Sequence, residues 1–338
     1  MSSKPGFLAV LLWSGVLFAQ QTPLTGPVEA FSFDAPTSSL RAVNGSLGSA
    51  SLGPALFSEI EFGSVAPRQN YAIAFRRGRG LIVSGLDTDQ PASSPLTDAS
   101  AVPEGVAWSG DGSTAILYSR KENWIQKLTG LPGSPKLGPS LSLSLLGGSL
   151  SAVASDTTGA TIAIGIAGGA SSGIFEVTGG QGFVPVLSLA EPVALSFSED
   201  GGTLYGIDGA ARQLSEVKMA DLTSRQWALD PLQDPIAVRS ATGASNTRVI
   251  YVAGRSDRLL IAMDASSHQT ISTIPLSFQP TSLEPLGRRS FVLGSRVSGH
   301  DPLWSLTTSP QASVSFVPAT PIPLRQAAPL PFGEDRRK

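Results

Sequence analysis

The chain has 338 residues, 41% of them hydrophobic and 15% charged, with 36 glycines and 26 prolines. Lys and Arg number 24 against 26 Asp and Glu, so no overall field draws nucleic acid or an anionic membrane, and nucleic acid is not expected as a partner. The chain has no cysteine, which excludes disulfides, thiolate metal sites, cysteine nucleophiles and a lipidated cysteine.

Lys4 is the one charge ahead of an apolar run from Phe7 to Ala19, broken only by Ser14 and Gly15. That run is too short for a membrane span, which needs about 20 residues, and suits the apolar region of an export signal. Residues 1–19 are therefore expected to be a signal peptide cleaved after Ala19, although Leu17 replaces the small residue preferred at the −3 position. No later segment is long and apolar enough to span a bilayer, so the mature protein is expected to be secreted or periplasmic. Without disulfides it depends on core burial, which about 300 residues can supply.

From there the chain repeats. Prolines recur at Pro67, Pro103, Pro192, Pro235 and Pro280, with Gly148 in the skipped unit, at steps of 36, 45, 44, 43 and 45 residues. Each unit offers short apolar runs separated by turns, and four short strands per repeat of this length specify an all-β propeller. In the unit at Pro103 the expected strands are Val106–Trp108, Thr114–Ser119, Trp124–Leu128 and Leu141–Leu145. Asp111-Gly112 supplies the first turn, since both residues tolerate positive φ. Later units repeat the order, with second strands at Thr161–Ile166, Thr203–Ile207, Arg248–Ala253 and Ser290–Ser295.

Upstream the pattern weakens. Tyr71–Phe75 and Gly80–Gly85 read as strands of a unit opening at Pro67, and Ala30–Asp34, Leu40–Val43 and Phe57–Phe62 as strands of another. Counting both gives seven four-stranded antiparallel blades over residues 28–318. Six blades, with the N-terminal strands completing the last, is the alternative. Residues 319–338 are Pro-rich and end in charge, and are expected to be a disordered tail.

These strand-Asp-Gly-strand units resemble the WD40-like and YVTN-type propellers of bacterial exported proteins. The stretch from Pro280 to Pro318 and the early Ser39–Gly53 are similar to uncharacterised secreted propellers of environmental bacteria. The likeness implies a fold and carries no catalytic residue with it.

Alternating strand direction sorts the loops to two ends of the disc. First-to-second and third-to-fourth turns share one end; second-to-third loops and inter-blade connections share the other. His268 and His300, the two histidines, are expected at opposite ends, which excludes a two-histidine metal site. Gly169–Gly173 matches G-x-S-x-G, but lies between two strands without the following helix that motif needs, so Ser171 reads as a loop residue. Arg76-Arg77-Gly78-Arg79 reads as a solvated first-to-second turn, and Trp108, Trp124, Trp227 and Trp304 as inter-blade core.

The best functional candidates sit at the connection end. Glu104, Glu191 and Asp234 each neighbour a recurring proline, and the second-to-third loops add Arg120, Asp208, Arg212, Arg255, Asp257 and Arg258. No cofactor is required by the sequence; carboxylates on such a rim could hold Ca²⁺, as the similar propeller lactonases do. The sequence reading is thus a monomeric, non-catalytic scaffold binding an unidentified protein or small molecule. A metal-dependent hydrolase of lactonase type and a cell-surface structural protein are the alternatives.

Overall fold

In a computed structural model of the chain, residues 27–319 are described except 89, 100, 180, 181, 244–246, 288, 295 and 310. The segment expected to be a signal peptide, and all but the first residue of the segment expected to be a tail, lie outside that range. No helix among the described residues is long and apolar enough to cross a membrane.

Seven antiparallel sheets follow one another along the chain. The first contains β1 (Val28–Asp34), β2 (Ser39–Asn44) and β3 (Ser51–Ser58), and the second β4 (Phe62–Val65), β5 (Tyr71–Arg76), β6 (Arg79–Ser84) and β7 (Ala92–Leu96). The third contains β8 (Gly105–Trp108), β9 (Ala115–Ser119), β10 (Trp124–Thr129) and β11 (Lys136–Ser142). The fourth runs β12 (Ser149–Ser155), β13 (Ile162–Ala167), β14 (Gly173–Val177) and β15 (Phe183–Ser188). The fifth runs β16 (Pro192–Phe197), β17 (Thr203–Asp208), β18 (Gln213–Lys218) and β19 (Ser224–Ala228). The sixth has β20 (Pro235–Thr242), β21 (Arg248–Gly254), β22 (Leu259–Asp264) and β23 (Thr270–Pro275). The last has β24 (Glu284–Pro285), β25 (Ser290–Val292), β26 (Leu303–Thr307) and β27 (Ser313–Val317). The protein is a seven-bladed β-propeller, as the repeat implied.

Each blade buries a face of small and branched residues against the next. Ile116, Ile125 and Leu143 of the third blade pack on Leu150, Ile162, Ile164 and Ile166 of the fourth. Ala253, Leu260 and Ala262 of the sixth meet Phe291, Leu293 and Leu306 of the seventh. The first and seventh blades meet in the same way, through Ala30, Val43 and Leu52 against Val292, Leu303 and Val317. Trp124 joins an inter-blade cluster, and Trp108 and Trp304 pack against such clusters, as expected of them.

The first-to-second turns repeat one local device. In Ser109–Thr114 and Ser198–Thr203 the aspartate (Asp111, Asp200) accepts the serine hydroxyl at 2.8 and 2.5 Å, and the serine oxygen accepts the closing threonine amide at 3.0 Å. Gly112 and Gly201 take φ of 75° and 72°, a left-handed region that suits glycine. Gly112 also meets its neighbour blade: the Tyr71 hydroxyl donates to its carbonyl, and a Cβ there would lie 2.9 Å from that hydroxyl.

The structure corrects the upstream reading. Pro67 lies after β4, in a first-to-second turn, whereas Pro192 and Pro235 open their innermost strands. That displacement is why the first proline step is the short one. Arg76–Arg79 consequently joins β5 to β6 as a second-to-third hairpin, with Arg77 and Gly78 at φ of 51° and 72°. It is not a first-to-second turn. The third strand of the first sheet is Ser51–Ser58 and not Phe57–Phe62, because Phe62 already pairs with Phe75 in the next blade.

The first sheet is offset. β1 ends in Asp34 and leads through left-handed Ser38 into β2, as β17 ends in Asp208 and leads through left-handed Arg212 into β18. Asn123 and Arg258 occupy the same place in two other second-to-third loops. β1, β2 and β3 therefore hold the second, third and fourth positions of a blade. Asp34 is buried and closes the ring at this point: it pairs with Arg41 at 3.1 Å and with Arg296 of the seventh blade at 2.7 Å, and accepts the Thr37 hydroxyl at 2.6 Å. Breaking a buried pair from one side leaves charges without compensation, a loss of about 3–5 kcal/mol. Asp34→Ala, which leaves two arginines facing one another, should lower stability by about that amount in urea unfolding. A loss below about 1 kcal/mol would show that the network is not a ring-closing contact.

Candidate functional site

At the connection end, the charges nominated from sequence are engaged locally, and two sets of them, Glu104 with Arg120 and Asp234 with Arg255, form ion pairs. Glu104 accepts the Ser119 hydroxyl and the Lys121 amide, both at 3.0 Å, with Arg120 at 3.8 Å. Desolvation pushes its carboxyl upward, but those donors outweigh it and hold the group below the usual carboxylate range. Asp208 is buried and accepts the amides of Ala190 at 2.8 Å and Ala211 at 3.1 Å. Asp257 accepts those of Gln233 and Asp234 at 2.8 and 3.1 Å. Arg255 pairs with Asp234 at 3.0 Å and holds its carboxyl below the ordinary value. Arg212 donates to the Gln233 side chain, the Glu191 carboxylate lies over Gly209, and Arg258 takes the left-handed position of its loop.

A common task explains this spacing. Glu104, Asp208 and Asp257 tie the incoming connection to the adjacent second-to-third loop by accepting backbone amides that strand geometry leaves free, and Asp234 does so through the Arg255 side chain. The described residues contain no group of three or more His, Cys, Asp or Glu side chains placed to hold one metal ion. His268 and His300 fall in a third-to-fourth turn and a second-to-third loop, as the strand order required. His268 stacks on Trp227 with ring centroids 3.5 Å apart and meets Glu216 at 2.8 Å, so that tryptophan packs on a polar pair. Ser171 sits in the loop between β13 and β14 with no helix after it.

The turn end holds a cavity of about 1090 Å³ along the propeller axis. Its wall comes from the innermost strands and first-to-second turns: Val106–Gly110, Val153–Thr157, Ser196–Glu199, Arg239–Ser240 and Glu284–Pro285, with Pro67–Asn70 and Glu29. None of the nine charges nominated at the other end borders it. Six charged side chains do: Glu29, Asp156, Glu199 and Glu284 against Arg68 and Arg239. Arg239 is already engaged, donating to the Leu283 carbonyl at 2.7 Å and lying 3.4 Å from Glu284. Sequence reasoning passed over these residues because each looks like an ordinary polar neighbour of a turn. The signal available for Arg68, Asp156, Glu199 and Glu284 was their position in or within two residues of a first-to-second turn.

Tyr118 of β9 lies over the innermost strand of its blade. A Cβ on Gly105 would fall 2.3 Å from its ring, so the missing side chain lets the tyrosine pass over the innermost strand toward the axis. Burial pushes its phenol up to about 12, helped by Glu284 and opposed by Arg120 and Arg239. Charges from blades across the channel thus act on one hydroxyl, which stays protonated and neutral at ordinary pH.

No family model matches the chain, and no curated protein matches it. Solved structures share its shape. It is similar to streptogramin B lyase with a TM-score of 0.53 at 8% identity, over 76% of this chain and 83% of that one. A nidogen/laminin complex gives 0.48 at 15% identity, over 75% and 95% of the two chains. A catalytically inactive virginiamycin B lyase from Staphylococcus aureus with quinupristin gives 0.48 at 10%, over 76% and 83%. At these identities the likeness is one of fold.

Asp200, beside the cavity mouth, offers a direct test of the turn chemistry. The Ser198 hydroxyl, the Gly202 amide and Arg248 lower its carboxyl from 3.8 to about 2, against a desolvation that would raise it. A depressed folded value means its contribution is full above about pH 4 and lost as pH falls toward 2. The side chain is largely exposed, so solvent screening limits the effect to roughly 0.2–1 kcal/mol. Asp200→Asn should flatten the decline in melting temperature between pH 4 and 2. An unchanged acid limb would mean that the carboxylate is not held as drawn.

Proposed function

We propose that the protein is an exported, non-catalytic scaffold whose axial channel receives a polar, net-cationic segment of a partner protein at the turn end. The observation that carries this reading is the cavity of about 1090 Å³ whose wall sets four carboxylates against two guanidinium groups; with Arg239 and Glu284 paired to one another, Glu29, Asp156 and Glu199 remain against Arg68. A concave, low-dielectric wall with an excess of one sign focuses field and favours the opposite charge. Its remaining lining is hydroxyls, amides and a few apolar rings, which suits a peptide loop better than a reacting small molecule. Export follows from the Phe7–Ala19 run alone. The hydrolase reading needs Glu104, Glu191 and Asp234 to act on one centre, and two of the three are committed to Arg120 and Arg255.

The test uses oligolysine and oligoglutamate peptides of equal length, titrated calorimetrically into the full mature chain at low and high salt. Oligolysine should bind at least about tenfold more tightly, the preference should shrink with salt, and Asp156→Asn with Glu199→Gln should remove most of it. Equal binding of the two peptides, or an unaltered preference in the double variant, would sink the proposal.

A further inference from the structure

The seam between the third and fourth blades is open at the turn end. A cavity of about 340 Å³ enters it there, within the size range of ligand pockets, and shares no described lining residue with the axial cavity. Ile116 and Ile162, both buried, form its floor with Leu141, while Lys127 stands on its wall and Lys136 at its rim. No carboxylate is among the described residues that line it.

The outer strand accounts for the opening. Gly138 and Pro139 of β11 both lie against the single Lys127 of β10, because the register breaks between Gln126 and Leu128. Proline has no amide to give the ladder, and the Gly138 carbonyl accepts the Gln126 side chain at 2.9 Å. Such a bulge bends the strand that carries it. Lys127 is held across the seam, its Nζ donating to the Gly159 carbonyl of the fourth blade at 2.7 Å. An ammonium has three donors, so two are left for another partner.

The seam between the fifth and sixth blades shows what fills such a space when the chain supplies it. There Tyr205 lies opposite Glu216 as Ile116 lies opposite Lys127, and Trp227 lies opposite Leu214 as Leu141 lies opposite Ile125. His268 enters from the sixth blade, stacks on Trp227 with 7° between the ring planes, and meets Glu216 at 2.8 Å. The plug is thus a flat ring whose polar edge is bound by the charge in the place of Lys127. In the third seam both wall rings are replaced by aliphatic side chains and that charge is reversed. Residues 178–182, the turn corresponding to that of His268, contain no aromatic residue in their sequence.

We infer that this seam is a binding site for a small aromatic carboxylate, its ring against Ile116, Leu141 and Ile162 and its carboxylate on Lys127. Reversing the sign of the seam residue reverses the sign of the polar edge it accepts. An ammonium–carboxylate contact against an apolar wall is also stronger than one in open water. The ring displaces water from aliphatic surface that the chain itself leaves uncovered. The site is separate from the axial channel and stands or falls independently of it.

The test is calorimetric titration of 2-naphthoate into the full mature chain at neutral pH, with 2-naphthylmethylamine and 2-naphthalenemethanol as ring-matched controls. 2-Naphthoate should saturate a single site and bind at least about tenfold more tightly than either control, with the preference shrinking at high salt. Lys127→Met should weaken it by at least about tenfold, and Lys127→Arg should restore most of that loss. Leu141→Trp, which supplies the ring that Trp227 provides in the other seam, should abolish binding without lowering the melting temperature. That variant keeps both lysines and the Gly159 contact, so it probes the cavity apart from any disturbance of the seam by Lys127→Met. Asp156→Asn with Glu199→Gln should bind 2-naphthoate as the parent does, which separates this site from the channel. Equal binding of the three probes, no saturable binding below about 1 mM, or unaltered affinity in Leu141→Trp would each overturn the inference.

Discussion

Each blade is a twisted sheet with two apolar faces, and neither can be left to water. That constraint organises the molecule. Ile116 needs the fourth blade, Ala262 needs the seventh, and Leu303 needs the first, so stability builds only when the circuit of neighbours is complete. Burial of apolar faces drives the arrangement without selecting partners. Selection comes from polar contacts at the seams: the Tyr71 hydroxyl on Gly112, Arg239 on Leu283, and Asp34 between Arg41 and Arg296. The last of these joins the beginning of the chain to its end, where the circuit has no covalent continuity.

The two ends of the disc divide the polar work. At the connection end, Glu104, Asp208 and Asp257 spend their oxygens on backbone amides, because chains that leave one blade and enter the next cannot pair those amides in a ladder. At the turn end, tight hairpins satisfy themselves through Ser-Asp-Thr contacts, and Asp156, Glu199 and Glu284 stand on the wall of the axial cavity, bonded to Thr158, Thr242 and Arg239 in turn. Charges that look equivalent in the sequence therefore differ in availability. Gly105 and Tyr118 sit between the two ends, one residue lacking a side chain so that another can reach inward.

Much of the architecture was legible from spacing. Strand order, the Asp-Gly turns and the opposite placement of His268 and His300 all follow from alternation and turn chemistry, which are local properties of the chain. Errors arose where local signals were ambiguous. Pro67 resembles the start of a blade because proline suits a turn and an innermost strand alike. That ambiguity carries Arg76–Arg79 to the other end of the disc in sequence, and the apolar Phe57–Phe62 run mimics the third strand of the first sheet.

What the sequence determined alone was the repeat: period, strand count, the turns that reverse the chain, and hence a β-propeller. It also determined that no cysteine chemistry and no long charge field would be involved. Only the tertiary structure decided that the turn end carries the axial cavity, which carboxylates accept backbone amides, and that the first sheet begins at its second position. Those outcomes depend on atoms brought together from blades far apart in sequence. Asp34 and Arg296 meet across the seam, and Glu29 and Glu199 share a cavity wall, through ring closure, which no local pattern encodes.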